Sequence, residues 1–233
     1  MKTAIITGAS VGIGRATAAR FLADGFQVFN IARRSCPEAG VVNLACDLSR
    51  EADIATACEQ VLEAVAGSAS VALIHNASQM RKDSALDCND DSLRAVLATN
   101  VLAINSLNQG LLSHLPAGSS LLYVGSTLSE KAVSGSFSYV LSKHAQLGMM
   151  RASCQDLMGS GVHTALVCPG FTDTEMLRAH IGNDQAVVAA ISAMTSYNRL
   201  IEPGEIAELL HWAHHHPVIN GAVLHANLGQ RES

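Results

Sequence analysis

Two hydrophobic periods alternate along this chain. Short β-branched or leucine-rich runs fall at residues 3–7, 27–32, 41–46, 71–75, 120–125, 162–168 and 221–226. Between them, longer stretches near 13–25, 51–66, 92–114, 138–159 and 203–214 carry apolar residues at helical spacing. Strands that alternate with helices of that length form βαβ units, and such units build a parallel sheet covered on both faces. The pattern therefore predicts an α/β fold: a doubly wound, about seven-stranded parallel sheet with helices on both faces, in one domain over residues 1–233. No linker, internal repeat or low-complexity tract interrupts it. The one long irregular stretch, 171–202, precedes the last helix and is a candidate lid.

Composition narrows the function classes. Apolar residues make up 48% and charged residues 15%, which suits a well-buried globular protein. A net charge of −5 gives no basic footprint and argues against nucleic acid as a partner. No apolar run reaches the roughly 18–20 residues that span a bilayer. MKTAIITG runs straight into a strand and turn without a signal pattern, so a cytoplasmic setting is expected. The six cysteines, Cys36, Cys46, Cys58, Cys88, Cys154 and Cys168, form no CxxC, so reduced, mostly buried thiols are expected. His214, His215 and His216 read as a solvated helix end where cationic side chains suit the dipole. No metal site is expected.

Two stretches carry chemistry. Residues 7–14 read TGASVGIG, directly after the first strand and before an amphipathic helix. Gly8 permits a tight turn, Gly12 lets the backbone approach a pyrophosphate, and Gly14 allows close helix–strand packing. With Ser10, Val11 and Ile13 they make a candidate phosphate cradle at a helix N-terminus. The second stretch, STLSEKAVSGSFSYVLSK, places Tyr139 and Lys143 four positions apart, on one face of a helix. An ammonium beside a phenol favours the phenolate, which predicts a Tyr139 pKa below its usual value of about 10. Ser126, at the end of the preceding strand, supplies a hydroxyl to hold a carbonyl oxygen beside that phenol. The three residues together suit proton transfer between an alcohol and a carbonyl.

TGxxxGIG at the N-terminus, Asn76-Ala77 after the fourth strand and YxxxK after the fifth, in that order, resemble the short-chain dehydrogenase/reductase family over nearly the whole chain. The resemblance implies a Rossmann-type fold, a nicotinamide cofactor and hydride transfer at a carbonyl carbon. It implies catalytic roles for Asn100, Ser126, Tyr139 and Lys143. Lys143 would also bind the nicotinamide ribose, and Asn100 would bend its helix and order a water chain to the lysine. NAD-preferring relatives carry an acidic residue after the second strand; here Ala32 is followed by Arg33 and Arg34. A guanidinium suits a 2′-phosphate that a carboxylate would repel, so NADP(H) is expected, with NAD(H) the less favoured cofactor.

The same resemblance places Asp47 and Leu48 beside the adenine, although DLSRE also reads as a helix start. Asn76, Ala77 and Ser78 would line the adenosine ribose, Ser78 standing where the family usually has glycine. Pro169, Gly170, Phe171, Thr172 and Thr174 match a PGxxxT segment that would contact the nicotinamide and its carboxamide, with Thr174 on the carboxamide or the pyrophosphate. The expected activity is NADP(H)-dependent carbonyl reduction on a small-molecule substrate, by a homodimer or homotetramer formed through the helices at 92–114 and 138–159. A largely apolar substrate pocket is expected, with Arg178 and His180 as candidate anion anchors. The rival readings are a non-catalytic dinucleotide sensor or scaffold and an NAD-dependent alcohol dehydrogenase. A nucleotide-sugar epimerase is disfavoured because only about 65 residues follow Pro169.

Overall fold

A computed structural model describes residues 1–182 and 184–231; Asn183, inside the expected lid, and residues 232–233 lie outside the described residues. The strands are β1 (Lys2–Thr7), β2 (Gln27–Ala32), β3 (Val41–Ala45), β4 (Ser70–His75), β5 (Ser120–Val124), β6 (His163–Pro169) and β7 (Ala222–Ala226). They form a seven-stranded sheet in the order β3-β2-β1-β4-β5-β6-β7, parallel throughout. The order reverses between β1 and β4, and the crevice at their C-terminal ends is where such sheets bind ligands.

The sheet's period of two sorts its side chains into two cores. Ile5, Ile31, Leu73, Leu121 and Tyr123 face one side, where α2 (Glu51–Ala66), α4 (Ala103–Leu111) and α5 (Phe137–Asp156) cover them. Ala4, Ile6, Val28, Ile74, Leu122 and Val167 face the other, covered by α1 (Gly12–Ala23) and α8 (Pro203–His214). Phe21 of α1 fills that second core together with Leu210 of α8.

Three sequence expectations change here. The helix expected over 92–114 starts earlier, as α3 (Asp90–Leu97), because the Asn89 side chain accepts from Ser92 N and caps it. It then passes through one π turn at Ala98–Leu102 before α4. The stretch 171–202 is not irregular: it folds α6 (Glu175–Ile181) and α7 (Gln185–Ser192), each started by a side-chain cap from Thr174 or Asp184. His214 is not solvated. It is 4% exposed, hydrogen-bonded to Ser120 Oγ at 2.8 Å, and burial pushes its pKa down to about 3. Among the described residues, no helix is long and apolar enough to cross a membrane.

Candidate active site

The glycine turn sits where β1 meets α1. Gly8 has a φ of +71°, a left-handed conformation that glycine adopts without strain. A Cβ on Gly14 would lie 2.3 Å from the Gly8 carbonyl oxygen, so the helix packs directly on the turn. Asn76, just past β4, locks the same turn by donating Nδ2 to the carbonyls of Thr7 and Gly8 at 3.0 Å each. Thr7 Oγ1 in turn accepts from the backbone N–H groups of Asn76 and Ala77. The first turn of α1 contains no acidic residue and no side-chain cap, leaving free N–H groups and the positive helix end for an anion. Ser78 Oγ is buried without a protein partner, and its φ is not in the left-handed region, so serine fits here without a glycine's freedom. These features fit a nicotinamide dinucleotide at this crevice.

The expected cofactor residues are arranged less openly than the sequence implied. Arg34 pairs with Glu175 at 3.3 Å, and Arg15 pairs with Glu38 at 2.6 Å. Arg33 is exposed, and its charge helps hold Asp47 below the usual carboxylate range, after the larger effect of hydrogen bonds from Ser49. Asp47 Oδ1 accepts from Ser49 N and Oγ at 3.0 and 2.8 Å; Arg50, not Asp47, is the N-cap position of α2. Leu48 is buried. Thr174 closes the crevice from the lid side, since a Cβ on Gly12 would lie 3.2 Å from its Cγ2. Between these walls lies a cavity of about 360 Å³ lined in part by Gly12, Arg15, Glu38, Thr174, Glu175 and Pro203. Pro169 ends β6, and Gly170 N donates to Ala226 O at 2.9 Å, while Thr172 is buried and Phe171 partly so.

Ser126 and Tyr139 come together with Lys143 at the end of β5. Ser126 caps a 3₁₀ turn at Thr127–Ser129, accepting from Leu128 N at 3.1 Å. Asp83, which sequence reasoning missed, starts α5: it accepts from the Ser138 hydroxyl and from Ser138 N. That anchor holds Tyr139, 8% exposed, against the sheet. Burial pushes the Tyr139 phenol up to about 12, against an opposing hydrogen bond from Ser126. Burial also pushes Lys143 down to about 7. The expectation that Lys143 depresses the phenol's pKa is therefore overturned. Its Nζ lies 5.4 Å from the Tyr139 ring centroid, and its hydrogens go to Val124 O and Gln146 Oε1.

Asn100 lies in the π turn and is fully buried. Its side chain accepts from Gln79 N at 2.7 Å and donates to Gln79 O and Ser142 Oγ. The side chain of Gln146 bridges the Asn100 main-chain carbonyl and Lys143 Nζ, along the span where the resemblance implies a water chain. Gln146 was also missed, and its signal was its position three residues after Lys143, on the same helix face.

Arg178 is tied to Asp173 by two hydrogen bonds of 2.7 and 2.8 Å, so it is not an open anion anchor. An apolar groove of about 460 Å³ runs along Leu86, Ala132, Val133, Phe137, Val140 and Leu141, and among the described residues of 171–202 none lines it. His211 and His215 bring ring nitrogens to 3.3 and 3.8 Å from Asp24, a spacing that suits a metal. The Lys2 ammonium already sits 3.0 Å from the same carboxylate oxygen, where a cation would go.

A family model described as short chain dehydrogenase matches residues 2–185. The chain is 25% identical over 237 residues to carbonyl reductase family member 4 of Danio rerio, covering 96% of this chain and 95% of that protein. It is 26% identical over 243 residues to a 3-oxoacyl-[acyl-carrier-protein] reductase of Salmonella typhimurium, covering 98% and 96%. A short chain dehydrogenase from Burkholderia cenocepacia, solved in complex with NADP, superposes with a TM-score of 0.88 at 27% identity, covering 98% and 97%.

Proposed function

This chain belongs to the short chain dehydrogenase family of oxidoreductases, and from that premise we propose that it is an NADP(H)-dependent reductase of small carbonyl compounds. The observation that carries the reading is the burial of Tyr139 and Lys143 on one face of α5, beside Ser126. The cofactor, when bound, supplies the hydride. The chain's own residues hold the substrate oxygen and deliver the proton. Ser126 Oγ and Tyr139 Oη present two hydroxyls to one carbonyl oxygen, and Tyr139 gives up its proton as the oxygen gains charge.

The raised phenol pKa supports the reductive direction. Near neutral pH Tyr139 is protonated, which is the state a proton donor must start from. Lys143 and its partners set the electrostatics below the phenol, and Asn100 supports them from the π turn. Proton transfer of this kind contributes typically about 10²–10⁴ in rate.

Preference for NADP(H) is supported by Arg33 and Arg34 after β2 and by the NADP complex of the Burkholderia cenocepacia relative. The reductase names of the similar proteins support a carbonyl substrate, 3-oxoacyl thioesters among the classes to try. A homo-oligomer is supported by the exposed apolar side chains of Phe137 and Leu141 on α5. A cytoplasmic setting is supported by six cysteines that are all free.

The test is NADPH oxidation against aldehydes, ketones, diketones and 3-oxoacyl thioesters, with NADH and Tyr139→Phe as controls. Turnover that prefers NADPH and disappears in Tyr139→Phe is the expected result. A phenylalanine variant that keeps its turnover would remove Tyr139 from the mechanism.

A further inference from the structure

Gln146 is buried together with Lys143, each 1% exposed, three residues further along α5. Its amide is held at both ends. Gln146 Oε1 accepts from Lys143 Nζ at 3.1 Å, and Gln146 Nε2 donates to the main-chain carbonyl of Asn100 at 2.8 Å. An ammonium can only donate and a carbonyl can only accept, so the amide has one orientation; turning it over would lose both bonds. The Asn100 carbonyl lies in the π turn, where the ladder shifts register and Ala103 N–H reaches Ala98 O. A side-chain donor entering the ladder is one of the few causes of such a break.

We infer that Gln146 is a positioning residue for the working lysine, its amide bridging the Lys143 ammonium to the Asn100 carbonyl so that α5 and the π turn hold one fixed geometry under Tyr139. This rests on the reading of Lys143 as a residue of the active site. The lysine is fixed from two sides, by Gln146 and by the Val124 carbonyl at 2.8 Å on β5. The titratable groups that face it are Tyr139 on α5 and Cys168 on β6, and among the described residues its bonds go to neutral oxygens and not to a carboxylate. Two neutral acceptors therefore work against the burial that pushes the ammonium down, and each one removed favours the neutral amine. Asn100's own side chain does not substitute, because it is committed to Gln79 and Ser142.

The test is an NMR titration of lysine side chains in the whole protein without substrate. There are four lysines in the sequence, and Lys143→Arg identifies the resonance. Gln146→Met keeps the length and removes the acceptor, so the Lys143 midpoint should fall by about one pH unit, since a hydrogen bond to a charged group and one pH unit are of similar size. Gln146→Glu keeps the acceptor and adds charge, so the midpoint should rise by about as much. Turnover at fixed NADPH should fall roughly tenfold in Gln146→Met with KM for NADPH nearly unchanged. Gln146→Asn, too short to span both partners, should move the midpoint down and replaces the Met variant if that one does not fold. Loosened packing alone would lower the melting temperature and leave the midpoints where they were. Unmoved midpoints in folded variants, or a fall in Gln146→Glu, overturn the inference. The titration needs no turnover, so it stands apart from a failure of the carbonyl-reductase reading.

Discussion

Asn76 donates a 3.0 Å hydrogen bond from its side-chain amide to the carbonyl of Gly8, tying the end of β4 to the turn after β1. Its second bond goes to Thr7 O. These two carbonyls sit at the C-terminal end of β1, at the reversal of strand order. Asn76→Leu keeps the bulk and removes both donors. It should destabilise the protein by about 1–3 kcal/mol, the cost of leaving buried acceptors unpaired. It should also weaken NADPH binding at least tenfold, because the turn loses its shape. Urea unfolding and a fluorescence titration with NADPH check the two effects; unchanged cofactor affinity would make Asn76 structural only.

Two glycines should respond oppositely to alanine. A Cβ on Gly14 would stand 2.3 Å from Gly8 O and 2.4 Å from Asn76 Nδ2, both held rigidly. Gly14→Ala should therefore cost about 1–3 kcal/mol by overpacking and abolish measurable NADPH binding. A Cβ on Gly148, inside α5, meets nothing within 4 Å. Gly148→Ala should stabilise by about 0.5–1 kcal/mol through helix propensity. Equal effects from both would mean that the turn yields more easily than its contacts indicate.

Much of this architecture was legible in the chain. The short apolar runs matched every strand of the sheet to within a residue or two, because strands at the centre of the sheet, buried on both faces, have little freedom in composition. The stretch 171–202 was not legible: its two helices have 7 and 8 residues and are started by Thr174 and Asp184, signals too short to outweigh the surrounding polar residues. The candidate site divides in the same way. Tyr139, Lys143 and the glycine turn announce themselves by spacing. Asp83 and Gln146 do not, since each acts on a partner that only the fold brings near. The sequence also misled on the sign of the tyrosine's shift, because spacing shows the ammonium and does not show the desolvation that raises the phenol.

Cofactor selectivity should depend on which arginine is available. Arg34 is engaged with Glu175, whereas Arg33 makes no hydrogen bond or ion pair among the described residues. Arg33→Ala should weaken NADPH binding roughly tenfold and leave NADH binding within about twofold, as expected for loss of one charge-assisted contact to a phosphate. Glu175→Gln releases Arg34 and should tighten NADPH a few-fold without affecting NADH. Parallel changes in both cofactors would place the arginines away from the 2′-phosphate. The readout is the ratio of the two dissociation constants in each variant.

Stability should fall on mild acidification, before the carboxylates titrate. Burial lowers His75 from 6.5 to about 4 and His214 from 6.5 to about 3. Between those values and 6.5 the unfolded chain binds protons that the folded chain does not, so stability rises with pH across this window and is lost as pH falls through it. The fully buried His75 contributes about 3 kcal/mol of loss by pH 4, at 1.36 kcal/mol per unit. The carboxylates of Asp24 and Glu205 are both held near 2, and their contribution starts to be lost only as pH falls through their unfolded values of 3.8 and 4.5, so between pH 6.5 and about 5 the histidines dominate. Urea midpoints measured from pH 7.5 to 4.5 should decline steadily in the parent protein. His75→Leu removes the titrating ring along with its 2.8 Å bond to Asn108 Oδ1, so it starts lower at neutral pH but should lose less on acidification. A variant whose midpoint declines as steeply as the parent's would show that His75 is not held neutral in the folded chain.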